Sequence, residues 1–497
     1  MNKVTQFIFL LLAILLLNSS CEKSDPVVND EDNPNQYVNN WIYEQMAIYY
    51  YWNDKLPQNP DYTQNPEQFY NSLLNTHTPN NPDGDRFSAI RENYIDLLNS
   101  LGGVSSDEIG FEYILLNISP EGTTVNQYYL LVLYPKLNTD AHHKGIKRGH
   151  FITKVDNQDI TGNNYSTLLS GTGSKSLTVA SWKYNATNEK YDLKLHPDPV
   201  TVEMHSKYAE NPIHLDTLLT FDNKKIGYLV YNFFANDKGD DSYAYDKDLM
   251  NSLETIQSQG AEEFILDLRY NGGGDVTSAI ALASAMVKNR STDNLLITTE
   301  YNPIVQSAYA EMYGEGYNKD NFIEKIMKNQ QVIANVPALN LPRLYVLVSR
   351  FTASASELVI NGLKPYMDVI LIGETTVGKN VGSFVLYEKN DPENKWAIMP
   401  ITFKYFNSEG DSDFSTGFVP DFAESEFDDF MFAEFGSLDD KLLNTALTHI
   451  STGAVPMASS VRSRSQFESK LNFEVVKNSE SMSINQMYDS RYSPDNE

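Results

Sequence analysis

Two consecutive stretches decide the fold: Leu344-Tyr-Val-Leu-Val-Ser-Arg-Phe-Thr-Ala-Ser-Ala-Ser-Glu-Leu-Val-Ile-Asn-Gly-Leu-Lys364 and Val369-Ile-Leu-Ile-Gly-Glu-Thr-Thr-Val-Gly-Lys379-Asn-Val-Gly-Ser383. Residues 344–348 form a short unbroken apolar run, as in a strand buried on both faces. From Ala355 the apolar positions Ala355, Leu358, Val359 and Gly362 keep the i, i+3, i+4, i+7 spacing of a helix laid on a sheet, and Pro365 ends it. A second apolar run, 369–372, returns as a neighbouring strand, so the unit reads strand-helix-strand. Units of this kind gather strand tips and a helix N-terminus at one crevice, where ligands bind. Ser354 stands at the helix mouth, beside backbone N–H groups that have no intrahelical acceptor. Lys379 follows one helix and one strand later, a path that can return to the same crevice. A Ser-Lys pair is one way to make an alkoxide without histidine.

Working outward, Glu263-Phe-Ile-Leu-Asp-Leu-Arg-Tyr-Asn-Gly-Gly-Gly274-Asp275 predicts a buried strand that runs into three glycines. A helix follows, with Val276, Ala279, Ile280, Ala283 and Val287 in helical period. No Gly-Lys-Ser/Thr follows and the dinucleotide spacing is absent, which argues against a phosphate cradle. The glycines suit either a plain tight turn or a close approach of backbone N–H groups to an oxyanion.

Ser354-Ala-Ser-Glu357, Gly373-Glu-x-x-x-Gly-Lys379, Asp267-Leu-Arg-x-Asn-x-Gly-Gly274 and Gly417-Phe-Val-Pro-Asp421 occur together in one chain. Over residues 85–450 this set resembles the C-terminal processing peptidases, the S41 or tail-specific proteases. The order of the stretches, with Asn380-Val-Gly-Ser383, is similar to lipoprotein members from Bacteroidetes-type bacteria. The resemblance implies an α+β multidomain chain. Its parts are an N-terminal helical segment, a PDZ-like β-rich domain and an α/β protease core of ClpP/crotonase-like strand-helix repeats. It implies a serine endopeptidase that cleaves unfolded or C-terminally recognised proteins through an acyl-enzyme, without metal or cofactor. Ser354 is then the nucleophile, Lys379 the base, and Gly273, Gly274 and Ala355 the oxyanion donors. Many members carry Gln four positions after the lysine; here that place is Ser383, whose hydroxyl can orient the amine. A free lysine titrates near ~10.4, and lowering that by about 3 takes roughly 4 kcal/mol, within reach of burial. Two rivals stand beside this reading. One is a hydrolase with a histidine base, with His205 and His214 as candidates, and the other is a non-catalytic peptide- or ligand-binding lipoprotein of the same fold.

The chain of 497 residues is long enough for two or three domains, and its 41% apolar content suffices for a sizeable core. A net charge of −28 argues against a nucleic-acid partner and is read as solubility rather than steering of basic substrates. Lys3 precedes the apolar run 7–17, too short to span a bilayer but right for a signal-peptide core. Asn18-Ser-Ser-Cys21 then resembles a lipoprotein cleavage site. The expectation is a signal peptide over 1–20, lipidation of Cys21 and a membrane-anchored protein of the bacterial cell envelope. The alternative is a secreted protein with a stray thiol. A lone cysteine excludes an internal disulfide.

Further expectations are a polar tether over 21–36 and a helical segment over 37–98, with helices at 37–56 and 66–74 and the short element Asp85-Arg-Phe-Ser88. A PDZ-like domain spans 99–200, with Gly turns at 101–110 and 144–149. PDZ domains take an extended peptide as an added edge strand. The core occupies 201–450, within which 292–340, apart from a short strand-like run at 295–299, reads as a polar, Tyr- and Asn-rich insertion whose length alone does not make it a lid. Residues 451–497 read as a flexible tail. His142 and His143, being adjacent, read as surface side chains rather than metal ligands.

Overall fold

In a computed structural model, residues 34–119, 127–185, 190–428, 430, 432–454, 472–478 and 487–492 are described. Cys21 and the signal segment lie outside them. The central sheet has six strands in the order Ile213–Phe221, Lys224–Tyr231, Glu263–Asp267, Arg343–Val348, Asp368–Gly373 and Phe422–Ala423. The first two form an antiparallel hairpin, and each later strand runs parallel to its neighbour. Because strand side chains alternate, the apolar runs feed two different cores. Leu229, Phe264, Leu266, Val346 and Val348 face the main core, with the helices Ala244–Ser258, Val276–Met286 and Ala355–Leu363. Tyr228, Val230, Ile265, Tyr345 and Leu347 face the opposite side, under the helix Lys441–Thr452.

A second sheet stands across the tips of the first. Its order is Gly274–Asp275, Met487–Tyr488, Val381–Ser383, Ile401–Asn407, Leu295–Tyr301 and Lys319–Asn321. Within 292–340 the run expected at 295–299 is the strand Leu295–Tyr301, and the segment packs into the main core rather than forming a polar insertion. Leu295–Tyr301 pairs antiparallel with Ile401–Asn407, and Val305, Phe322, Ile326 and Val336 are buried in the main core. Nor is 451–497 uniformly a flexible tail. Asn472–Asn478 adds antiparallel to Phe111–Ser119, and Met487–Tyr488 is a strand of the second sheet.

The N-terminal helix is Pro34–Tyr49, so it begins inside the expected tether and stops short of residue 56. It ends where the Tyr51 N–H donates to the Ile401 carbonyl at 2.7 Å. Its stripe of Val38, Trp41, Ile42, Met46 and Tyr50 is buried in the main core. The Asn302 side chain fastens it to the helix Pro303–Tyr313, donating to the carbonyls of Ile48 at 2.8 Å and Tyr50 at 2.9 Å.

Seven strands between Phe111 and Glu203, with Asn472–Asn478 as the eighth, build a separate sheet with its own core of Leu115, Leu130, Val132, Ile152, Val155 and Leu177. Two buried ionic groups fix it to the rest. Lys136 sits among Glu108 (2.8 Å), Glu112 (3.5 Å) and Glu210 (3.4 Å). Arg148, on the turn before Gly149, donates to the Ala433 carbonyl at 2.7 Å and the Tyr270 hydroxyl at 2.6 Å. Arg269, the residue before Tyr270, is paired with Asp267 at 2.7 Å and Asp440 at 2.8 Å.

Candidate active site

Past Val348 the chain leaves the central sheet through a turn held by its own side chains. The Ser349 N–H donates to Thr352 Oγ1 at 2.9 Å, and that hydroxyl donates to the Leu268 carbonyl at 2.8 Å. The turn delivers Ser354 with φ 65° and ψ −117°, a conformation that suits glycine. Holding a serine there takes about 1–3 kcal/mol, which the surroundings must supply. They do so through the main chain: Ala353 N–H donates to the Asn271 carbonyl at 3.1 Å, and Leu358 N–H to the Ser354 carbonyl at 2.8 Å. Ser354 is wholly buried, and its Oγ has no hydrogen-bond partner among the described residues. The hydroxyl is thus not consumed by the fold.

The glycine turn lies directly against it. Gly273 has φ 111°, and a Cβ there would stand 2.6 Å from Ser354 Cβ and 3.1 Å from the Ala355 nitrogen. At Gly274, with φ 131°, a Cβ would fall 2.0 Å from the Phe234 carbonyl oxygen. Both positions exclude any side chain. Of the three expected oxyanion donors, Gly273 already donates its N–H to Asn271 Oδ1 at 2.9 Å. Ala355 begins the helix next to it, where its N–H lies in the unpaired first turn.

Lys379 follows the strand Asp368–Gly373 and is wholly buried. Burial pushes its amine down from 10.5 to about 7, although the charges of Asp85 and Glu357 pull the other way. Glu357 fixes the lysine loop to the serine turn. One carboxylate oxygen accepts from Ser354 N–H at 2.9 Å and Lys379 N–H at 2.8 Å. The other accepts from Gly378 N–H at 2.7 Å and the Thr376 hydroxyl at 2.5 Å. Burial raises this carboxyl's own pKa, and the four donors oppose that.

A roof over the lysine comes from the N-terminal segment. The Phe87 ring centroid lies 5.1 Å from Lys379 Nζ. Arg86 donates to the carbonyls of Gly378 and Ser415, both at 2.8 Å. Asp85 accepts from Tyr50 hydroxyl, Phe87 N–H and Ser88 N–H, each at 2.9 Å. In the sequence this element carried a resemblance but no role, because nothing local says that it reaches residue 379. Glu357 was legible only as part of a motif, since its partners are main-chain amides far along the chain.

Ser383 is buried, and its hydroxyl is directed to the Met399 carbonyl at 3.5 Å. The two histidines lie elsewhere. His205 Nε2 accepts from the Asp140 N–H at 2.8 Å. His214 packs its ring against Tyr134 and Phe435, and burial lowers its pKa to about 4. His142 and His143 are exposed on the short helix Asp140–His143.

A parallel central sheet, a serine turn at a strand tip and a glycine turn against it are the frame of peptidase family S41, and the chain belongs to that family. Residues 225–423 match its peptidase domain and residues 37–89 the peptidase S41 N-terminal domain. The chain is similar to a carboxyl-terminal-processing protease of Picosynechococcus, 26% identical over 309 residues, which covers 60% of this chain and 62% of that one. It is also similar to the carboxy-terminal processing protease CtpA of Bacillus subtilis, 27% identical over 252 residues, or 50% of this chain and 44% of that one. It thus spans less than two thirds of these relatives. Among solved structures it resembles a protein assigned as an S41 protease from Bacteroides fragilis, 26% identical with a TM-score of 0.68, covering 88% of this chain and 100% of that one.

Proposed function

We propose that the chain is a serine endopeptidase that cleaves unfolded or C-terminally recognised polypeptides with a Ser354–Lys379 dyad. The observation that carries this reading is the single Glu357 carboxylate that holds the amides of both residues, beside an amine brought to about 7. In the reaction, neutral Lys379 takes the proton from Ser354 Oγ as that oxygen bonds to the carbonyl carbon of the peptide. In this reading the N–H groups of Gly274 and Ala355 face the developing oxyanion, while that of Gly273 is held by Asn271 Oδ1. The ammonium of Lys379 then protonates the departing amine, leaving an acyl ester on Ser354. Water attacks the ester, Lys379 accepts its proton and passes it to Ser354 Oγ, and the acid product leaves.

The β-rich domain acts, in this reading, as a PDZ-like module that recruits polypeptides by strand addition to a core of ClpP/crotonase-like repeats. Lipidation of Cys21 holds the enzyme on the cell envelope. The experiment is cleavage of a permanently unfolded protein by the wild type and by the Ser354→Ala and Lys379→Met variants. Both substitutions are expected to abolish cleavage. Normal turnover by Lys379→Met would remove the lysine from the mechanism and reopen the search for another base.

A further inference from the structure

The strand Met487–Tyr488 occupies an unusual place. It is inserted between Gly274–Asp275 and Val381–Ser383 and runs parallel to both, with Met487 opposite Gly274 and Tyr488 opposite Asp275 and Ser383. One neighbour is therefore the glycine turn that touches Ser354, and the other begins two residues past Lys379. The Met487 side chain is fully buried in the main core, and Tyr488 packs on the cluster of Leu97, Leu101, Val385 and Met399. A few polar contacts hold the segment down. Asp489 N–H donates to the Ser383 carbonyl at 3.4 Å, Ser490 N–H to Asp275 at 3.2 Å, and Arg491 pairs with Asp320 at 2.6 Å.

An independent observation comes from the same part of the chain. Asn472–Asn478 covers the edge strand Phe111–Ser119, running antiparallel from Ser119 toward Ile114. Strand addition to an exposed edge is how extended peptides are captured, with main-chain hydrogen bonds that do not depend on sequence. Without the segment the first edge would be unpaired, and the second site would be a slot one strand wide. With neighbouring strands about 4.8 Å apart, that gap is roughly 9–10 Å and accepts one extended chain.

We propose that these two edges are peptide-strand sites for extended polypeptides, and that residues 472–478 and 487–492 are their intramolecular occupants, the second competing with substrate for the slot beside Ser354. The substrate part of the proposal rests on the protease reading; the strand sites themselves do not.

The test uses a fluorescein-labelled peptide, Asn485-Gln-Met-Tyr-Asp-Ser-Arg-Tyr-Ser493, and anisotropy. Its binding is compared for the Ser354→Ala chain at full length and ending at Gln486. A tethered segment acts at an effective concentration of about 1 mM, so a peptide with a Kd of ~100 µM should bind the shortened chain about tenfold more tightly. In the active background, shortening should lower KM for an unfolded protein while kcat is kept, and the free peptide should inhibit competitively. Equal binding to both chains, or a shortened chain that keeps its circular dichroism and melting transition yet binds no peptide, overturns the proposal. If the shortened chain does not fold, full-length Arg491→Ala decides. Weaker clasping predicts tighter peptide binding than wild type, and unchanged binding and KM overturn the idea. Failure of the dyad alone would show as peptide binding without cleavage by any form.

Discussion

Lys379→Met, followed across pH, tests the electrostatics of the site on two axes. The amine is wholly buried and is brought from 10.5 to about 7, with burial as the leading cause. That displacement corresponds to on the order of 5 kcal/mol. Between about pH 7 and 10.5 the unfolded chain holds a proton that the folded chain has released. Stability therefore rises with pH across that window, and the penalty is fully present below about 7. Methionine has similar length and no charge, so the variant should unfold at higher denaturant than wild type at pH 6–7. The advantage should shrink toward pH 10. Activity gives the complementary reading. Only neutral amine accepts the Ser354 proton, so kcat/KM of the wild type should climb roughly tenfold between pH 6 and 8 and then level off. Asp85→Asn removes a charge that raises the amine's pKa and should move the rising limb to lower pH. A flat pH profile over that range, or a methionine variant less stable than wild type at pH 6.5, would refute the reasoning.

Other substitutions probe the supports. Glu357→Gln places an amide N–H2 among four donors, so at least one donor loses its acceptor, at about 1–3 kcal/mol for each. A fall in kcat of about a hundredfold with little change in KM is expected from steady-state kinetics on an unfolded protein. Gly273→Ala puts a Cβ 2.6 Å from Ser354 Cβ at φ 111°, which should leave a folded protein by circular dichroism but displace the serine and abolish turnover. Lys136→Met strands Glu108, Glu112 and Glu210 in a buried site without their cation. It should destabilise by about 3–5 kcal/mol in guanidinium unfolding; a loss below ~1 kcal/mol would mean that the carboxylates find protons or water instead.

The serine and lysine stretches were readable because their strands are continuous apolar runs and their helix keeps a strict period. Burial on both faces writes itself into sequence that way. Residues 292–340 were misread for the opposite reason. The run at 295–299 was readable as a strand, but the later buried members, Val305, Phe322, Ile326 and Val336, are isolated among polar residues and set no period. The segments 472–478 and 487–488 were missed because they are short and pair with strands far along the chain, and one buried residue such as Met487 sets no period. The roof of Asp85, Arg86 and Phe87 depends on a return of the chain across nearly 300 residues, which composition cannot encode. The family resemblance located it, and only the fold shows what it touches.

The site sets two demands against each other. A base must be neutral, yet positioning it in a dry crevice calls for polar groups, and carboxylates are the strongest acceptors available. Asp85 and Glu357 stand near enough to favour the ammonium, and still burial prevails. Each carboxylate is engaged by neutral donors: tyrosine and serine hydroxyls and backbone N–H groups around Asp85, three backbone N–H groups and a threonine hydroxyl around Glu357. These donors satisfy the anions, so the carboxylates shape the turns, while burial is the largest influence on the amine. The N-terminal segment supplies Asp85 and, in Phe87, an aromatic face at 5.1 Å from the amine. Removing residues 34–88 should therefore expose Lys379, raise its pKa toward that of a free lysine and silence the enzyme at pH 7, even where the peptidase domain stays folded.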